Sequence, residues 1–215
     1  MWQNCHKRDF MDKLDIFKIK ELALETKRRV FNIKELSMLL GKSEGTTRSY
    51  MARLTKRNIA NKVVSGYIAF TDNDYIIANQ LIEPSYISLN SALHYFQIIL
   101  QVPNTVDVIC TKQVKLKTSY NYYKINPKLF FGYEKEFAEG TYYFVAEPEK
   151  AVLDLIYFYG FSEIYLKDIL SKLNILKLKE YVKKYKTIKG YRAKRVLKVG
   201  DYIDKQKEDI RISKN

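Results

Sequence analysis

The residues best suited to chemistry fall in one short polar stretch. Thr46, Arg48, Ser49, Arg53 and Lys56 recur at spacings that a helix gathers on one side, with Thr47 among them in sequence. Each is a type that reaches phosphate oxygens or base edges of nucleic acid. Lys42 and Ser43 stand just before this stretch, and Lys62 and Ser65 just after it, where contacts to a phosphate backbone would flank an inserted helix. These ten are the candidate DNA-binding residues. Bond-breaking chemistry is poorly represented by comparison. The chain has no Gly-x-Gly-x-x-Gly, Walker A loop, His-Glu-x-x-His or Gly-x-Ser-x-Gly. Its two histidines are His6 and His94. His94, between Leu93 and Tyr95, reads as a packed or capping side chain, and Cys5-His6 has no second pair to complete a metal site. Asp107 would suit a metal-dependent nuclease, but no Glu-x-Lys follows it at the required spacing. It reads instead as an edge or solvent-facing position of an alternating strand. Glu134, Glu136, Glu139, Glu147 and Glu149 read as a solvated acidic edge. The expectation is a protein that is not an enzyme and carries no cofactor and no metal.

The segments around the polar stretch say how it is held. Asn32 is placed to cap a helix, with Glu35 as its capping-box partner. Ile33, Leu36, Leu39 and Leu40 then repeat at helical spacing, and Gly41 follows where a left-handed C-cap is wanted. Ser43 caps a second helix that runs to about Arg57, with Thr47, Tyr50, Met51 and Leu54 on its inner face. Val63-Val64 and Tyr67-Ile68 flank Ser65-Gly66, a two-residue hairpin turn. A helix over Asp12 to about Lys27, with Leu14, Phe17, Ile19, Leu22 and Ala23 inward, precedes a short strand at Val30-Phe31 that pairs with the hairpin. Helix, turn, helix and hairpin in this order predict a winged helix-turn-helix, which places its second helix in the major groove.

Beyond Phe70 the pattern changes. Thr71 to Asp74 reads as a polar turn leading to an extended Tyr75-Ile-Ile-Ala, and Pro84 fixes an extended or turn conformation at Glu83. Ser88 is placed to cap a helix from Leu89 to about Leu100, broken by Pro103-Asn104. Four runs read as strands: Val106 to Thr111, Tyr120 to Ile125, Leu129 to Tyr133 and Thr141 to Ala146. Pro148 opens an almost wholly apolar helix. Further helices carry stripes of Ile164, Ile169, Leu170 and Leu173, and of Leu178, Val182, Tyr185 and Ile188. The predicted fold class is α+β: a winged helix-turn-helix over residues 1–78, then a small mixed or antiparallel sheet with packed helices and a basic helical C-terminus over 79–215. Tyr120, Tyr122, Tyr123, Tyr133, Tyr142 and Tyr143 raise the possibility of a stacking platform for bases. With no Lys or Arg interleaved on the same face, they read as ordinary strand formers.

Composition limits the partners. A net charge of +14 with a pI near 9.5 points to a polyanion. From Lys177 onward, fourteen Lys and Arg face five Asp and Glu, a run that reads first as a solvated face. Cys5 and Cys110 are far apart, which fits a reducing compartment. Without a signal peptide or a membrane-length apolar run, a cytoplasmic protein with no membrane partner is expected.

Three segments resemble the AbiEi family of antitoxins, the regulator half of abortive-infection type IV toxin–antitoxin systems. They are IKELSMLLGKSEGTTRSYMARLTKRNI (33–59), YIIANQLIEPSYISLNSALHYF (75–96) and AEPEKAVLDLIY (146–157). The first is common to many winged-helix proteins; the second, with Glu-Pro-Ser-Tyr-Ile-Ser before Ser-Ala-Leu-His-Tyr, is more specific. The resemblance implies a repressor that binds promoter repeats in duplex DNA. It also implies a C-terminal domain that opposes a nucleotidyltransferase toxin without a stable complex. Thr46, Thr47, Arg48, Ser49 and Arg53 match the family's DNA-reading helix. A stand-alone transcription factor with a ligand-sensing or dimerising domain, and a nucleic-acid enzyme with a winged-helix targeting domain, are the competing readings.

Overall fold

The computed structural model describes residues 15–212, with side chains through 205, so the predicted helix start at Asp12 and the Cys5-His6 pair lie outside the described residues. The fold is α+β and divides into two compact units: residues up to Ile77 together with Glu139–Thr141, and Ala78–Ala138 with the chain from Tyr142 onward.

In the first unit, Asp15 caps α1 (Ile16–Glu25), its side chain accepting from Phe17 N at 3.2 Å. Ile16, Ile19 and Ala23 are buried, but Phe17, expected inward, is 57% exposed, because the stripe spaced three and four residues apart runs through Ile16 and Ile19. Strand β1 (Val30–Asn32) leads into α2 (Ile33–Leu40). There the capping box is complete: Glu35 N donates to Asn32 Oδ1 and Asn32 N to Glu35 Oε2, each at 2.9 Å. Such a cap stabilises a helix by about 1 kcal/mol. Gly41 ends α2 at φ 61°, and Ser43 opens α3 (Glu44–Lys56). Strands β2 (Asn61–Val64) and β3 (Tyr67–Ala69) form the hairpin around Ser65-Gly66, and β1 pairs antiparallel with β3, Val30 opposite Ala69, in the order β1-β3-β2. Ile16, Ile19, Leu36, Leu54 and Ile68 close one core beneath both helices, with Phe31 edge-to-face on Phe70 at 5.9 Å.

The segment from Tyr75 is not extended. It forms helix α4 (Asp74–Leu81), because the Asn73 side chain accepts from Tyr75 N at 3.0 Å and Ile76 N at 3.3 Å, a cap the periodicity alone did not reveal. The second unit holds a five-stranded mixed sheet, ordered β6-β5-β4-β8-β7. Its central strand β4 (Ser85–Ile87) follows directly on Pro84 and is not among the four expected strands. It runs antiparallel to β5 (Asp107–Cys110) and parallel to β8 (Thr141–Ala146), and β5 runs parallel to β6 (Asn121–Lys124). Strand β7 (Tyr133–Ala138) is the far edge. Helix α5 (Leu89–Tyr95) is shorter than predicted and ends before Gln97, whose φ is 56°. Then come α6 (Pro148–Tyr159), α7 (Glu163–Leu170), α8 (Ile175–Tyr185) and α9 (Tyr191–Ile212). Ile169 and Leu173 of the predicted α7 stripe are buried, but Ile164 is 79% exposed and Leu166 takes its place on that side.

Candidate nucleic-acid interface

Helix α3 sorts its residues by side. Thr47, Tyr50, Met51 and Leu54 are buried against the core. Thr47 was also a candidate for DNA contact, and the structure contradicts that: it is 0% exposed, and its hydroxyl donates to Ser43 O at 2.9 Å. The spacing that carries Tyr50, Met51 and Leu54 inward carries Thr47 with them. Thr46, Arg48, Ser49, Arg53 and Lys56 are exposed, as are Lys62 on β2 and Ser65 in the hairpin turn; Lys42 is half-buried. Ser43 is exposed but engaged, its hydroxyl accepting from Thr46 N at 3.2 Å and sharing a hydrogen bond with Thr46 Oγ1 at 3.0 Å. The Arg53 guanidinium lies 5.6 Å from the Tyr50 ring centroid, which limits the conformations of a long cation without neutralising it. Among the described residues, no ion pair involves Arg48, Arg53, Lys56 or Lys62. Arg57, at the C-cap of α3, adds an exposed cation that the sequence reading treated only as a helix end. Glu44, in the first turn, is the sole carboxylate on the helix. The surface can accept phosphates at several points without first breaking an internal salt bridge.

The second unit contains polar centres of a different kind. Lys150 and Asp154, one helical turn apart on α6, form an ion pair with both side chains 0% exposed. Tyr86 OH and Ser88 Oγ donate to Asp154 Oδ2 at 3.0 and 2.8 Å, and Lys150 Nζ donates to Tyr185 OH at 3.3 Å. Ser88 therefore serves this cluster and, contrary to expectation, its side chain does not cap α5. The ammonium also lies 5.0 Å from the Phe131 ring centroid. Burial pushes the Lys150 ammonium down and Asp154 opposes that; the same burial, with Asp154 alongside, pushes the Tyr86 and Tyr185 phenols well up. Enclosed in this way, the cluster ties α6 to β4 and α8. The sequence signal for it was present, as opposite charges at i and i+4 inside a largely apolar helix.

Asp107 is neither an edge position nor solvent-facing. It is 7% exposed on β5, between β4 and β6, and accepts from Asn121 Nδ2 at 3.1 Å and Tyr123 OH at 3.3 Å. Burial raises its pKa, and these two bonds oppose the rise. Two members of the expected acidic edge are likewise internal partners. Buried Glu149 accepts from Asn174 N at 2.7 Å, and Glu147 pairs with Lys177 at 2.7 Å and accepts from Tyr181 OH. His94 is half-buried, with its Nδ1 buried. Among the described residues there is no group of three His, Cys, Asp or Glu side chains placed to hold a metal ion, and no helix long and apolar enough to cross a membrane.

Comparison with protein-family models gives no match, and comparison with curated proteins gives none either.

Proposed function

We propose that the first unit is a winged helix-turn-helix that binds promoter DNA, and that the chain is a cytoplasmic, non-catalytic repressor and antitoxin of the AbiEi kind. In this reading α3 enters the major groove, with Arg48 and Arg53 at base edges, Thr46 and Ser49 as shorter partners, and Lys56 on the backbone. Lys62 and Ser65 meet phosphates at the hairpin, and Lys42 and Ser43 do so at the start of α3. The second unit opposes a nucleotidyltransferase toxin without forming a stable complex with it. The observation that carries the reading is the exposed α3 face, on which Arg48, Arg53 and Lys56 stand without a salt-bridge partner among the described residues. The antitoxin half rests on the resemblance of the three segments quoted above.

The test is a titration of the full chain with a duplex of the region directly upstream of its own gene, repeated from about 50 to 200 mM salt. Affinity falls linearly on a log–log plot, and Lys62→Ala makes the slope shallower by about one unit. A slope in Lys62→Ala equal to the parent's would remove Lys62 from the backbone contacts. Binding that ignores salt would remove DNA as the partner.

A further inference from the structure

Of the six tyrosines that read as ordinary strand formers, Tyr133 and Tyr142 share a face with a lysine in the structure. On β7, Tyr133, Lys135 and Phe137 alternate onto one face; on β8, Tyr142 and Phe144 share it. Ring contacts join the strands: Tyr133 to Phe144 at 5.6 Å and Tyr142 to Phe144 at 5.8 Å. Lys135 Nζ lies 4.0 Å from the Tyr142 ring centroid and 5.2 Å from that of Phe137. Phe137 is 73% exposed. A cavity of about 470 Å³ opens beside these rings, lined by Glu83, Pro84, Phe130, Tyr133, Tyr142 and Phe144. That volume lies within the range of about 300–1,000 Å³ typical of small-ligand sites. A second lysine stands at its rim, Lys112 Nζ donating to Glu83 O at 3.0 Å.

We propose that this face binds single-stranded RNA, with bases stacked on Tyr142, Phe137 and the cavity rings and phosphates beside Lys135 and Lys112. Three features select that occupant. Aromatic rings with a carboxylate could instead cage a ligand cation, but Lys135 already holds a cation on Tyr142 and repels another. Flat π-faces with flanking lysines match a ligand that is aromatic and anionic at once, which is the chemistry of a polynucleotide whose bases are unpaired. Glu83 is on the cavity lining, and a carboxylate, unfavourable beside phosphate, is an acceptor suited to a ribose 2′-hydroxyl, the group that separates RNA from DNA. The face lies wholly in the second unit and shares no residue with α3, so it is independent of the duplex-binding reading.

The experiment measures fluorescence anisotropy of labelled oligouridine and oligothymidine, about twelve nucleotides each, with the full chain. Tyr142→Leu and Phe137→Leu each weaken oligouridine binding by about ten-fold, and Tyr142→Phe restores it. Lys135→Gln makes the salt slope shallower by about 0.7. Upstream duplex DNA, titrated in parallel, binds Tyr142→Leu as tightly as the parent. Three outcomes overturn the proposal: oligouridine affinity unchanged in both leucine variants while their circular dichroism stays native; oligothymidine bound as tightly as oligouridine; or oligouridine binding abolished by Arg48→Ala with Arg53→Ala, which would place the single strand on α3.

Discussion

In the first unit, Arg48, Arg53, Lys56 and Lys62 stand in water, and among the described residues none has a salt-bridge partner. In the second, Lys150 lies at 0% exposure against Asp154, with Tyr86, Ser88 and Tyr185 completing its surroundings. The same charge type does opposite work in the two places. A solvated cation contributes little to folding and stays available to a polyanion. A buried ion pair has lost its hydration, which its partners offset only while each of them is present. Substitutions in the first unit should therefore change binding and spare stability, whereas substitutions at the buried pair should change stability whatever they do to binding.

The largest expected effect follows from the buried pair. Asp154→Asn leaves the Lys150 ammonium without its counter-charge inside the protein. Equilibrium urea denaturation should show a loss of about 3–5 kcal/mol. Arg48→Ala in the same assay should stay within about 0.5 kcal/mol of the parent, as surface changes usually do. A small loss in Asp154→Asn, or a large one in Arg48→Ala, would break the contrast between the units.

A smaller effect is expected at Glu147, where the second unit keeps a partly exposed pair. Burial pushes its carboxyl up, but hydrogen bonds from Lys177 and Tyr181 outweigh that and hold it below its ordinary 4.5. Because the folded pKa lies below the unfolded one, the contribution is complete above the unfolded value and is lost as pH falls through the folded value. Thermal melts should therefore show stability declining as pH drops below about 4.5, and Glu147→Gln should flatten that part of the profile. An identical profile in the variant would mean that the Lys177 contact contributes nothing in solution.

What the sequence disclosed follows the range of the interactions. The Asn32–Glu35 box, the Gly41 stop, the Ser43 cap and the Ser65-Gly66 turn all join residues within a few positions of one another, and each is found where the pattern placed it. The exposed side of α3 was legible for the same reason. Thr47 was read in two ways because its chemistry suits DNA while its spacing suits the core, and spacing decided. Strand β4 was missed because three residues carry no period of their own; its identity comes from β5 and β8 on either side. Lys150 with Asp154 was passed over because the neutral partners Tyr86 and Tyr185 are remote in sequence. Lys135 could be joined to Tyr142 only once β7 and β8 were seen side by side.

The proposed reading of duplex DNA by α3 rests on the exposed cations Arg48 and Arg53. The most direct measurement is a binding titration at fixed salt of the upstream duplex with the parent, Arg48→Ala and Arg53→Ala. Each variant should lose about 1–3 kcal/mol of affinity where its guanidinium meets a base edge, with unfolding curves unchanged. Affinity equal to the parent's in both variants would contradict the assignment of α3 as the reading helix.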